Sequence, residues 1–219
     1  MTLDDIALYL QRFVRHPHPV LATLEADAAQ RGVPIIGPWA GQILAMLARS
    51  IEARHVLELG TATGYSAIWL ALAVTAWQGR VITVEQDAAR VREAQQNLQT
   101  AGVAERVQIV HSSALNALQN LPGPFDLIFI DVLWYLQSTA EAAQLRTACQ
   151  QRLRPGGLLL CDNALRGGSI LAATLERSAL ATKTFTEGLL QDPDFDTVLL
   201  PLRDGLLVCR HNAPDPVRL

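Results

Sequence analysis

The stretch VLELGTATGYSAIWLALA, residues 56–73, decides the fold. It begins inside a short apolar run, HVLEL (55–59), turns on Gly60 and Gly64, and passes into a segment of helical character over 65–77. A buried strand, a glycine turn and a helix make the first unit of a wound α/β sheet. The same alternation repeats downstream. Apolar runs recur at RVITV (80–84), RVQIV (106–110), FDLIFI (125–130) and GLLLC (157–161), separated by helical segments at 88–101, 114–120 and 138–153. Within 88–101, Val91, Ala94, Leu98 and Ala101 recur at helical spacing. Continuous apolar strands between helices indicate a parallel sheet covered on both faces. After a helix over 174–190, TVLLPL (197–202) and LLVCRH (206–211) flank Arg203-Asp204-Gly205. Asp-Gly between two apolar runs signals a hairpin, so the sheet is expected to finish with an antiparallel pair.

Upstream, residues 3–15 and 20–31 read as amphipathic helices broken by HPHP at 16–19, because proline disfavours helix at the residue before it. GVPIIGP (32–38) reads as a loop and 39–50 as a third helix. The expectation is one α/β domain over 1–219, with a helical cap (1–50) on a Rossmann-like core (51–219) of seven strands.

Composition narrows the function classes. A chain of 219 residues with 50% hydrophobic and 18% charged side chains builds a core and is not a disordered segment. The net charge of −3 argues against a nucleic-acid partner. No apolar run approaches the roughly 18 to 20 residues of a membrane span. MTLDDIALYL lacks the basic start of a secretory signal. Cys149, Cys161 and Cys209 form no CxxC pattern, so a cytoplasmic location is expected. Lys183 is the single lysine among 18 basic side chains, so chemistry that needs a lysine has one candidate.

Ligands of open α/β sheets bind beyond the carboxyl ends of the strands. There the sequence places Gly60, Glu85, His111-Ser112-Ser113-Ala114, Asp131, and Asp162-Asn163. Gly60-Thr61-Ala62-Thr63-Gly64 is GxxxG, not the dinucleotide GxGxxG. Ala62 stands where the backbone would approach a pyrophosphate, which argues against a nicotinamide dehydrogenase. Glu85 offers two acceptor oxygens to a ribose diol. Together they point to a nucleoside ligand such as S-adenosylmethionine.

These residues carry a resemblance. VLELGTATGYSAIWLALA, ITVEQD, FDLIFID, LRPGGLLLCDNALRGG and LLPLRDGLLV are similar to the S-adenosylmethionine-dependent O-methyltransferases of the caffeoyl-CoA and catechol type, from about Pro34 to His211. The resemblance implies a Rossmann-like class I methyltransferase fold. It also implies a small-molecule hydroxyl as acceptor, phenol- or catechol-like, and assembly as a homodimer. It places S-adenosyl-L-methionine against Glu58, Gly60, Thr61 and Ser66, its ribose on Glu85, and its adenine by Ser113 and Ala114. Asp131 also faces the donor, and Ile36 and Gly37 close over it. Asp131, Asp162 and Asn163 become the ligands of a divalent cation, Mg²⁺, which would stabilise an acceptor oxyanion.

The chain departs from the pattern after strand four. The family's Asp-Ala-Asp-Lys is Asp131-Val132-Leu133-Trp134 here, so the lysine that assists deprotonation is a tryptophan. Lys183 falls on the last helix, on a solvated face. Proton removal is then left to the metal with Asp131 as base, to Tyr135, or to His16 or His18. Arg166, where the family often has tryptophan, either attracts an anionic acceptor or is a solvated surface arginine. A metal-independent enzyme, a non-catalytic donor-binding homologue and a tRNA methyltransferase of the same family are the alternatives.

Overall fold

The computed structural model describes residues 9, 10 and 12–212. Beyond the helical end at residues 9 and 10, the described residues begin with α1 (Val20–Arg31) and α2 (Gly37–Ser50). The core follows as β1 (His55–Leu59), α3 (Tyr65–Ala73), β2 (Arg80–Glu85), α4 (Ala88–Thr100), β3 (Val107–His111), α5 (Ala114–Asn120) and β4 (Phe125–Ile130). It ends with α6 (Thr139–Gln150), β5 (Leu153–Cys161), α7 (Arg177–Leu190), β6 (Phe195–Leu200) and β7 (Leu206–His211). Short 3₁₀ turns occupy Leu133–Tyr135 and Arg166–Leu171.

The seven strands form one sheet in the order β3-β2-β1-β4-β5-β7-β6. β1 to β5 pair in parallel, and β7 lies antiparallel between β5 and β6. The order reverses at β1, where parallel neighbours β2 and β4 leave in opposite directions and open a crevice beyond their carboxyl ends. The expected burial on both faces holds for β1 and β4, where Val56, Leu57, Leu59, Leu127, Ile128 and Ile130 are fully enclosed.

Several boundaries differ from the sequence expectation. β5 begins at Leu153, four residues before the GLLLC run. Phe125 pairs with Leu153, and the register shifts between Phe125 and Leu127, so an irregular first half carries Arg154-Pro155-Gly156 into the sheet. α3 stops at Ala73 and the chain continues as a separate 3₁₀ turn over Thr75–Trp77. β6 runs over 195–200 rather than 197–202, its first residue Phe195 buried and stacked on His211. α2 begins at Gly37, two residues early, with Pro38 in its first turn, a position that tolerates the missing N–H. The helix expected over 3–15 lies mostly outside the described residues. Its end is visible, where Arg12 N–H donates to Tyr9 O at 3.3 Å.

The first helices share the core's apolar interior. Leu21, Leu24, Leu44 and Ala48 belong to the same buried cluster as Val56, Ile68, Trp69 and Leu127. Gly41 allows α2 close to α3: a Cβ there would meet the Trp69 indole at 2.5 Å. Two polar links add to the packing. Tyr65 O–H donates to Glu25 Oε1 at 2.5 Å, and His16 Nε2 meets the same oxygen at 2.7 Å. Arg31 grips both oxygens of Glu93 on α4, at 2.6 and 3.1 Å.

Candidate active site

Beyond the carboxyl ends of β1, β2, β4 and β5 lies a cavity of about 730 Å³, within the usual range for small-molecule sites. Its floor is set by bonds that carry each parallel pairing past the strand end. Gly60 N–H donates to Val84 O at 3.0 Å, Asp131 N–H to Leu59 O at 2.8 Å, and Asp162 N–H to Ile130 O at 3.0 Å. Strand register therefore fixes where the polar residues point.

At one end the glycine turn meets Glu85. Gly60 has φ +103°, a conformation open to glycine and strained for other residues. A Cβ there would stand 2.8 Å from Asp131 O. Glu85 is buried, and its carboxylate accepts from Ala62 N–H at 2.8 Å and from Gln86 and Asp87 N–H at 2.9 Å each. Three backbone donors lock it in place and leave acceptor capacity toward the cavity. Ser113 and Ala114 line this end too.

Glu58, Thr61 and Ser66, expected against the donor, are buried and do not line the cavity. Thr83 Oγ1 donates to Glu58 Oε2 at 2.5 Å and meets Thr61 Oγ1 at 2.5 Å. Burial pushes the Glu58 carboxyl up to about 7, although hydrogen bonds from Ser66 and Thr83 oppose it.

At the other end stand Asp131, Asp162 and Asn163. Asn163 Nδ2 donates to Asp131 Oδ1 at 2.8 Å, and Asn163 itself is left-handed at φ +62°. Asp162 is buried with neither carboxylate oxygen hydrogen-bonded, and Arg203 Nε is 3.7 Å from Oδ2. Burial raises the Asp131 carboxyl well above the usual range, with the charges of Asp162 and Glu58 adding to it. Burial raises Asp162 as well, against Arg203. Two crowded carboxylates and an amide, one carboxylate lacking any donor, suit a hard divalent cation. Among the described residues no three acidic, histidine or cysteine side chains gather as a ligand set, so the amide is needed as the third donor.

Trp134 and Tyr135 form the outer wall, each about half exposed. Arg166 overturns both sequence readings of it. It is buried, its guanidinium 4.4 Å from the Trp134 ring centroid, with Nη1 donating to Leu133 O at 3.3 Å. It is neither a solvated surface arginine nor part of the cavity lining. The stack braces Trp134 from behind. The donor-loop reading shifts as well. Ile36 is buried in the core and Gly37 starts α2, whereas Pro34 and Ile35 line the cavity. A prolyl-isoleucyl loop gives no signal of which apolar side chain turns inward.

The other proposed proton acceptors lie off the cavity. His16 is paired with Glu25, and His18 Nδ1 accepts from Val20 N–H at 3.2 Å. Lys183, expected on a solvated face of the last helix, faces Glu187 at 3.8 Å. Leu133, at the family's second aspartate, is fully buried. Arg203 is among the lining residues that sequence reasoning passes over, as are Gln86, Arg90 and Glu141. The only signal for Arg203 is its place in the hairpin turn.

The O-methyltransferase family profile matches residues 14–212. The chain is 36% identical over 199 residues to a catechol O-methyltransferase of Mycobacterium tuberculosis, covering 90% of this chain and 88% of that protein. It is 29% identical over 221 residues to caffeoyl-CoA O-methyltransferase 1 of Eucalyptus globulus, covering 91% and 84%. The solved O-methyltransferase of Bacillus cereus in complex with SAH superposes with a TM-score of 0.81 at 25% identity, over 95% of this chain and 97% of that one. The chain thus belongs to the O-methyltransferase family and has its Rossmann-like class I fold.

Proposed function

We propose that this protein transfers a methyl group from S-adenosyl-L-methionine to a hydroxyl of a small phenol- or catechol-like acceptor, assisted by a divalent cation such as Mg²⁺. One observation carries the reading: a single cavity joins an end built for a nucleoside, at Glu85 and the Gly60 turn, to an end built for a cation, at Asp131, Asp162 and Asn163. The SAH held by the Bacillus cereus relative is the demethylated form of this donor.

Glu85 receives the ribose hydroxyls on a carboxylate that three backbone amides already orient. Gly60 and Ala62 let the donor lie against the turn, and Ser113 and Ala114 flank its base. Asp131, Asp162 and Asn163 hold the cation, which supplies positive charge that favours the acceptor's oxyanion. Trp134 gives a planar acceptor an aromatic face, braced by Arg166. Asp131 and Tyr135 are the titratable groups at this end placed to take the acceptor's proton. Displacement at the methyl then depends on how well the two ends align acceptor and donor.

Calorimetry with the donor and turnover with and without EDTA test the two halves. Asp162→Ala is expected to abolish metal binding while leaving donor affinity within about threefold, since Asp162 lies off the Glu85 end. Loss of both together contradicts the division of the cavity. The same reading takes the enzyme as a cytoplasmic homodimer, and sedimentation of the purified chain checks the dimer.

A further inference from the structure

Arg203 sits in the β6–β7 turn at φ +55°, a left-handed backbone that is strained for any residue but glycine. The turn is fastened at several points. Gly205 N–H donates to Leu202 O at 2.9 Å, Leu165 N–H to Asp204 O at 2.9 Å, and Gly167 N–H to Asp204 Oδ1 at 2.5 Å. These bonds hold the strained residue in place and carry its guanidinium over the carboxyl edge of the sheet. Its Nη1 comes within 3.3 Å of where a Cβ on Gly37 would stand, so the glycine at the start of α2 leaves it room. Its Nε lies 3.7 Å from Asp162 Oδ2, within ion-pair range, yet no hydrogen bond forms and both Asp162 oxygens stay without a donor. Arg90 is the other cationic side chain in the wall among the described residues, and it stands on α4, which begins three residues after Glu85.

We propose that Arg203 is the resident counter-cation of Asp162, which a divalent ion displaces when it takes that carboxylate. The inference rests on the cation reading given above. An arginine committed to Asp162 would form a bidentate, hydrogen-bonded pair, as Arg31 does with Glu93. A long contact without hydrogen bonds balances charge and separates readily. It also leaves the carboxylate lone pairs free for a metal. Once Asp162 has a divalent partner, like charge drives the guanidinium outward, and the cavity it already lines gives it space. Arg203 therefore stabilises the metal-free site and weakens its affinity for metal.

The test compares Mn²⁺ binding by calorimetry to the purified full chain, to Arg203→Gln and to Arg203→Lys. Removing the competing charge is expected to tighten Mn²⁺ roughly tenfold in Arg203→Gln, with Arg203→Lys near wild type. The metal-free Arg203→Gln protein is also expected to melt lower than wild type and to recover on adding Mn²⁺. Equal or weaker Mn²⁺ binding in Arg203→Gln overturns the role of Arg203 alone. Absence of Mn²⁺ binding in all three proteins overturns the cation reading and this inference with it. Should Arg203→Gln fail to fold, Arg203→Gly suits the left-handed backbone and gives the same comparison.

Discussion

At the scale of single residues, Gly60 is under the tightest constraint. Its φ is +103° and a Cβ would press on Asp131 O at 2.8 Å, so alanine meets both backbone strain and a collision. Gly60→Ala is expected to cost about 3 kcal/mol and to abolish donor binding, because strain of this kind and overpacking each run to about 1–3 kcal/mol. Thermal melting with a donor titration checks it, and a variant that keeps both stability and affinity would show that the turn relaxes. Gly60, Glu85, Asp131, Asp162 and Asn163 are legible in the amino-acid sequence because each sits at a strand end, and parallel register brings strand ends together. Arg166 is not legible there. Its burial comes from Leu133 O, Thr182 and Trp134, partners 16 to 33 positions away in sequence that no local pattern ties to it. Ile36 escapes a sequence reading for a related reason: apolar residues in a loop carry no periodicity to say which faces the core.

At the scale of elements, β1, β4 and β7 match their apolar runs to the residue, β2 and β3 lie within one residue of theirs, and β6 is displaced by two. The sequence understates β5 because its first half holds Pro155 and Gly156, which read as turn, while tertiary pairing with Phe125 keeps it in the sheet. Asp126, at that irregularity, ties three strands. Its Oδ2 accepts from Arg54 and His55 N–H at 2.8 Å each, and Arg154 Nε reaches Oδ1 at 2.5 Å. Burial alone would raise its carboxyl, but the hydrogen bonds from Arg154, His55 and Arg54 win and hold it below the usual range. A depressed carboxyl stabilises the fold above its unfolded pKa, and that stability is lost as pH falls through the folded pKa. Asp126→Asn is expected to lose about 2 kcal/mol near neutral pH. The gap between wild type and variant should close as the medium is made strongly acid. Melting curves across pH read this directly, and a gap independent of pH would assign the loss to geometry instead of charge.

At the scale of the whole molecule, the sheet gathers Glu58, Asp131 and Asp162 beneath one cavity, all three raised by burial. A raised carboxyl binds its proton more tightly in the folded protein than in the unfolded chain. The associated stability is full below the unfolded pKa and drains as pH rises toward the folded one. For Glu58 that window runs from its ordinary 4.5 up to about 7. The ligand-free protein is therefore expected to lose stability from these groups across weakly acid to neutral pH, and Glu58→Gln should flatten part of the slope. An unchanged slope in Glu58→Gln would place the titration elsewhere. Fold class and site location are legible in sequence because both follow from strand order, whereas the charge balance of the site depends on Arg203, which arrives from a distant hairpin.

The seam between α2 and α3 has one more consequence. Gly41 lets the Trp69 indole fill the junction where the first helices meet the sheet, out of contact with water, whereas Trp134 stands half exposed at the cavity mouth. Indole emission shifts with solvent contact, so these two side chains are optical gauges of different events. Trp69 reports whether the leading helices are seated, and Trp134 whether an aromatic guest has covered it. With Trp39 and Trp77 replaced by phenylalanine, unlabelled protein in a fluorimeter distinguishes loosening of the cap from filling of the pocket.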